Sequence, residues 1–173
     1  MGNFKNHLKK IDTFILDYDG VLTDGTVILT ADGEVLRTAN VKDGYAMQLA
    51  IKSGYNVAII SGGNSRSMVK RFEALNIKSF FLGVKDKRKV LKEYLEANNI
   101  KAENVLYMGD DIPDYEAMQD VGLPCCPADA VPEIKNISEY VSIKNGGKGC
   151  VRDVIEQTLK LQNKWMTKEG FSW

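Results

Sequence analysis

Two hydrophobic periods take turns along the chain. Ile11–Leu16 (IDTFIL), Asn56–Ile60 (NVAII), Ser79–Leu82 (SFFL) and Val105–Met108 (VLYM) are short, β-favouring apolar runs, as expected of strands buried on both faces. Leu123–Cys126 and Tyr140–Ile143 read as two further short strands. Between the runs, apolar residues recur at helical spacing, and helices are expected over Gly44–Ser53, Ser65–Leu75, Asp86–Ala97, Pro113–Asp120, Val131–Ile137 and Val151–Leu161. Met68, Phe72 and Leu75 share one face of the second of these, while Asp43 is a candidate N-cap and Gly54 a stop for the first. Thr26–Thr30 and Glu34–Thr38 flank Ala31-Asp32-Gly33, and Asp-Gly between β-rich segments signals a hairpin. Strand and helix alternate throughout. The pattern predicts an α/β fold: a Rossmann-like, doubly wound, mostly parallel sheet with helices on both faces and one protruding β-hairpin.

A chain of 173 residues suits one domain. The expected division is a polar leader over residues 1–10, a single domain over 11–163 with the hairpin at about 26–38, and a tail over 164–173. Lys+Arg and Asp+Glu each number 23, so no net field draws nucleic acid or anionic lipid. No apolar run is long enough to cross a bilayer, and the first residues carry basic groups without the apolar stretch of a signal peptide, so a cytoplasmic location is expected. The three cysteines, two of them adjacent, give neither a disulfide framework nor a CxxC metal spacing. The one histidine, His7, lies in the leader, and no cysteine has an arginine six positions on. Ser–His–Asp triads, phosphohistidine chemistry and a cysteine phosphatase loop are therefore excluded. The chemistry falls to carboxylates, hydroxyls, lysines and a hard metal.

Four strand-to-loop junctions carry such groups: Asp17-Tyr18-Asp19-Gly20, Ser61-Gly62-Gly63, Lys87, and Gly109-Asp110-Asp111-Ile112-Pro113-Asp114. Each follows the carboxyl end of an expected parallel strand, the edge on which open α/β sheets bind ligands. A lone Asp-Gly is ordinarily only a turn. Two acidic clusters on one edge are different, because Asp17, Asp19, Asp110, Asp111 and Asp114 would repel one another without a cation. An oxygen-liganded ion such as Mg²⁺ is the natural partner.

In this order the motifs, from DGVLTDG at Asp19–Gly25 to the GDDxxD run ending at Asp114, resemble the haloacid dehalogenase-like phosphatases. The resemblance implies that Asp17 attacks phosphorus and that Asp19 protonates the leaving oxygen, then activates water. It implies that Ser61 and Lys87 hold phosphoryl oxygens, and that Asp17, Asp110 and the backbone carbonyl of Asp19 ligate Mg²⁺ with Asp111 and Asp114 in direct or indirect support. The intervals from Asp17 to Ser61 and from Ser61 to Lys87 are filled by elements already assigned, so no cap domain fits.

Such capless chains resemble the 3-deoxy-D-manno-octulosonate 8-phosphate phosphatases, on NVKDGY at Asn40–Tyr45, LGVKDK at Leu82–Lys87 and GGKGCVRDV at Gly146–Val154 as well. This implies a small phosphorylated keto sugar acid as substrate and a homotetramer in which the hairpin and the Gly146–Arg152 segment shape a neighbouring site. Gly62, Lys42, Arg71 and Arg152 are further substrate-side candidates, with Lys148 beside Arg152. Solvated surface arginines and a plain N-cap are the ordinary alternatives for Arg71 and for Asp43. Gly63 departs from the arginine common after the Ser/Thr-Gly pair in related enzymes. Gly146-Gly147-Lys148-Gly149 lacks phosphate-loop spacing. Trp165, Phe171 and Trp173 are expected to be disordered or to dock on another subunit. A nine-carbon, sialic-acid-like 9-phosphate phosphatase is the nearest rival. A receiver-like signalling domain and an inactive scaffold homologue stand further off, the first because the acidic pair follows the fourth strand and the second because Asp17, Asp19, Lys87 and Asp110 are intact.

Overall fold

A computed structural model of the chain describes residues 4–171, so the expectation for Trp173 lies outside the described residues. Six parallel strands form one sheet: β1 (Thr13–Leu16), β4 (Asn56–Ile60), β5 (Ser79–Phe81), β6 (Val105–Met108), β7 (Leu123–Cys126) and β8 (Tyr140–Val141), ordered β5-β4-β1-β6-β7-β8. β1 lies at the centre, with Leu16 in register with Ile59 on one side and Met108 on the other. The chain turns outward in both directions from β1, which is the doubly wound arrangement expected.

Alternate residues of each strand feed opposite faces. Phe14, Leu16, Val57, Ile59, Leu106 and Met108 pack under α2 (Val41–Lys52), α3 (Arg66–Ala74) and α7 (Cys150–Leu161). Ile15, Ala58, Ile60, Val105 and Tyr107 pack under α4 (Lys87–Ala97), α5 (Tyr115–Gln119) and α6 (Pro132–Ile137). Both faces being covered explains why the runs read as apolar without alternation. The hairpin stands apart as β2 (Ile28–Leu29) and β3 (Val35–Leu36), antiparallel with Ile28 opposite Leu36.

Two local expectations change, at the first expected helix and at the tail, and the leader gains a helix. The first helix begins at Val41 behind Asn40, whose side chain accepts from the N–H groups of Lys42 and Asp43. Asp43 is therefore not the N-cap. It sits in the first turn of the helix, buried, and accepts instead from the N–H groups of Gly149 at 3.2 Å and Arg152 at 2.7 Å. The leader folds as a short helix, α1 (Phe4–Leu8), whose Leu8 is buried and whose Phe4 stacks on Tyr140 at 4.6 Å between centroids. The tail as far as Phe171 packs on its own subunit: the Trp165 ring lies under the Arg152 guanidinium, and the Tyr45 hydroxyl donates to the Gly170 carbonyl. Phe171 itself is exposed.

Candidate active site

The ends of β1, β4 and β6 and the start of α4 converge on one cleft of about 340 Å³, lined by Asp17, Asp19, Ser61, Gly62, Lys87, Asp110, Asp111 and Asp114 among others. Each group arrives by a short route. Asp17 follows β1 directly and its N–H bonds the Met108 carbonyl at 3.0 Å, which ties the first acidic loop to the last residue of β6. Ser61 follows β4, buried, and its hydroxyl oxygen accepts from the Gly63 N–H at 3.1 Å. Lys87 is the first residue of α4, behind Asp86, which caps that helix through the Lys89 N–H. Asp114 closes a short 3-10 turn, Ile112–Asp114, and its side chain points back into the sheet.

Lys87 is the hub. Its ammonium lies 2.8 Å from Asp17 Oδ1 and 2.7 Å from Asp114 Oδ1, and it is buried with both partners. Burial pulls its pKa down, but the two carboxylates outweigh that pull and leave it above the ordinary lysine value. The fully buried Tyr107 hydroxyl donates to the same Asp114 oxygen at 2.8 Å. One ammonium does not balance this much negative charge. Asp17 is raised well above the ordinary carboxylate value, first by burial and then by Asp114. Asp110 is raised too, by burial and then by Asp17.

Asp17, Asp110 and Asp114 can each offer an oxygen within 4.8 Å of the others. Asp110 Oδ1 is buried with no hydrogen-bond partner. An orphaned carboxylate oxygen among two other carboxylates fits a hard divalent cation. Gly20 lets the loops come this close: its φ is +86°, and a Cβ there would lie 2.0 Å from Asp110 Oδ2. Asp111 turns aside and caps Ile112 N–H at 2.7 Å.

The other sequence candidates lie elsewhere in the subunit. Arg71 reaches over α2, close enough that a Cβ at Gly44 would meet its Nη2 at 2.3 Å. Lys42, Lys148 and Arg152 line a second cleft along α7, where Arg152 pairs with Glu156 at 3.2 Å and Lys148 with Asp24 at 3.1 Å. Two residues that bond the acidic side chains of the cleft were not anticipated. Tyr107 had a signal, since a tyrosine in a strand buried on both faces needs a partner for its hydroxyl. Arg37, beyond β3, forks onto Asp19 with Nε–Oδ1 at 2.6 Å and Nη2–Oδ2 at 3.0 Å. Alternation puts Arg37 on the same hairpin face as Val35, but nothing in the sequence says that this face meets Asp19.

A parallel sheet with a lysine-bridged carboxylate at the end of its central strand and an acidic pocket beside it suits metal-assisted phosphoryl transfer. Residues 83–155 match the haloacid dehalogenase-like hydrolase family. The 3-deoxy-D-manno-octulosonate 8-phosphate phosphatase of Escherichia coli strain K12 is 38% identical over 164 residues, 95% of this chain and 87% of that protein. The crystal structure of the enzyme of that name from Moraxella catarrhalis, in complex with magnesium ion, phosphate ion and KDO, superposes with a TM-score of 0.92 at 32% identity, covering 95% of each chain. The cobalt-bound enzyme from Haemophilus influenzae gives 0.90 at 34% identity, covering 95% of this chain and 98% of that one. The chain belongs to the haloacid dehalogenase-like hydrolases and, within them, is a phosphatase of the capless branch.

Proposed function

We propose that the chain hydrolyses a phosphorylated keto sugar acid, 3-deoxy-D-manno-octulosonate 8-phosphate, in lipopolysaccharide sugar biosynthesis, with Mg²⁺ as cofactor and Asp17 as nucleophile. The observation that carries this is Lys87 bridging Asp17 and Asp114 beside the unpartnered Asp110 oxygen. It is supported by relatives that bear this substrate in their names across nearly the whole chain.

Asp17, Asp110 and Asp114 would hold the ion, with the Asp19 carbonyl as a further ligand and Asp111 in support. When bound, Mg²⁺ supplies positive charge that offsets the carboxylates and the phosphoryl group. Lys87 fixes Asp17 Oδ1, leaving the other oxygen to attack phosphorus. As that bond forms, the bond to the sugar oxygen breaks and Asp19 gives that oxygen a proton. In the second half, Asp19 takes a proton from water as the water oxygen attacks phosphorus and releases Asp17. Ser61, the Gly62 backbone and Lys87 orient the phosphoryl oxygens, because phosphoryl transfer depends chiefly on positioning and charge.

The proposal extends to a cytoplasmic homotetramer. The hairpin presents exposed apolar side chains. Lys42 and Arg152 lie outside their own catalytic cleft and are assigned to a neighbour's substrate, while the Arg71 guanidinium packs against Gly44 of α2. The test is a screen of the purified protein against eight- and nine-carbon keto sugar acid phosphates, with Mg²⁺ and with excess chelator. The eight-carbon ester should give the highest kcat/KM, chelation should abolish turnover, and Asp17→Asn should form no phosphoenzyme. Full activity in chelator, or a phosphoenzyme on the Asp17→Asn variant, overturns the mechanism. Preference for the nine-carbon ester overturns the substrate alone.

A further inference from the structure

The hairpin sends one side chain into the catalytic machinery. Arg37 donates through Nε to Asp19 Oδ1 at 2.6 Å, through Nη2 to Asp19 Oδ2 at 3.0 Å and through Nη1 to the Val35 carbonyl at 3.3 Å. The third bond pins the guanidinium to its own strand, so the fork moves with the hairpin. The Arg37 side chain is 11% exposed against 36% for Asp19, and Arg37 is absent from the residues that line the catalytic cleft. It therefore holds Asp19 without itself lining the cleft.

Proton transfer needs one Asp19 oxygen free, and the two are not equally held. The 2.6 Å Nε contact is the tighter one, whereas Oδ2 has the longer bond and faces Gly63. A Cβ at position 63 would lie 2.9 Å from Asp19 Oδ2, 3.3 Å from Arg37 Nη2 and 3.4 Å from Ser61 Oγ. A methyl there would press on Asp19 Oδ2 and on the end of the fork, and would touch the Ser61 hydroxyl at near-ordinary contact distance. Glycine at 63 and arginine at 37 are thus two halves of one arrangement.

We propose that Arg37 is a positioning residue for Asp19: Nε anchors Oδ1 so that Oδ2 is the oxygen that exchanges protons over the cleft, and Gly63 keeps the space beside Oδ2 open. This rests on the reading of Asp19 as acid and base given above. A lysine cannot replace the fork, since an ammonium offers a point charge without fixed geometry.

The experiment compares Arg37→Gln, Arg37→Lys and Gly63→Ala with Asp19→Asn on two substrates, the sugar-acid phosphate and 4-nitrophenyl phosphate, whose leaving group departs without a proton. Misplacing a reacting group by about 1 Å costs up to about 100-fold. Arg37→Gln should lower kcat on the sugar-acid phosphate by about 10–100-fold, with KM changed by less than about threefold because ground-state binding is untouched. With 4-nitrophenyl phosphate the initial burst of nitrophenolate should survive while later turnover slows, because only water activation still needs Asp19. Gly63→Ala should give the same signature and Arg37→Lys should not restore kcat. Adding Arg37→Gln to Asp19→Asn should cost little more than Asp19→Asn alone. A loss confined to KM, full rescue by lysine, or an unchanged kcat overturns the proposal. Should Asp19→Asn turn over normally, the acid–base reading itself fails, and that result is separate from an Arg37 failure in which Asp19→Asn is dead.

Discussion

The Tyr107 hydroxyl donates a hydrogen bond to Asp114 Oδ1, the same oxygen that holds Lys87 against Asp17. Without that donor Asp114 draws the ammonium toward itself, and Asp17 loses part of its neutralising partner. Outer partners of this kind are worth roughly 10–100-fold in activity or metal affinity. Tyr107→Phe should therefore lower kcat by about tenfold and weaken Mg²⁺ activation, with the fold intact by near-UV circular dichroism. Wild-type kcat and Mg²⁺ dependence would show that Lys87 holds its place unaided. A second consequence sits in the acidic cluster. Asp17 and Asp110, at about 7 and about 8, bind protons more tightly folded than unfolded. For metal-free protein that stabilisation is complete below the ordinary carboxylate value of 3.8 and is given up as pH rises through those raised values. A cation that prefers the ionised carboxylates offsets the loss. Melting curves at about pH 5 and about pH 8 should show a Mg²⁺ upshift that grows with pH. An upshift equal at both would remove the cluster as the binding site.

At the scale of elements, α7 starts at Cys150 behind Gly149, which has φ +104° and no side chain to cap the helix. Asp43 supplies the cap from α2, accepting the N–H groups of Gly149 and Arg152. Asp43 is 1% exposed and its two donors are half-buried, so its removal costs the cap about 2 kcal/mol. Asp43→Ala should lower Tm by roughly 4–8 °C, and a shift under about 1 °C would show that water takes over the cap. This contact also marks where the sequence ceases to be legible. The strands could be read because apolar runs with no internal alternation mean burial on both faces, and the cleft because Asp17, Ser61, Lys87 and Asp110 each follow a strand. The same reading placed Asp43 at its own helix start, since local spacing alone cannot show an acceptor serving an N–H more than a hundred residues away. Asn40, three residues earlier, was the cap. Arg37 was hidden for a related reason. Its strand and face follow from alternation, but the tilt that lays the hairpin over Asp19 is a tertiary fact. The leader helix escaped because five residues show too little periodicity to separate from coil.

For the whole molecule, the hairpin is the part that does not account for itself. Val27 is 43% exposed, Ile28 55%, Leu29 75% and Leu36 39%, and the ribbon pairs only two residues from each strand. A two-stranded ribbon is marginal in water, and its unpaired edges invite pairing with copies of itself. Assembly through this ribbon would cover the apolar side chains and set Arg37 over Asp19 in a defined pose. The test keeps the ribbon and removes its apolar surface. Ile28 and Leu36 face each other across the two strands, so Ile28→Lys with Leu36→Glu replaces an apolar pair by an opposite-charge pair that still favours the hairpin. If the chain assembles as the proposed tetramer, light scattering should show that assembly reduced to monomer. If neighbouring subunits complete the sugar subsite, kcat/KM for the sugar-acid phosphate should fall while that for 4-nitrophenyl phosphate holds, because Asp17, Ser61 and Lys87 line one cleft of one chain. If the hairpin matters only by carrying Arg37, both substrates should slow together in the step that needs Asp19. A folded monomer with unchanged kcat/KM on both would remove the shared site, and the chemistry at Asp17 would stand without it.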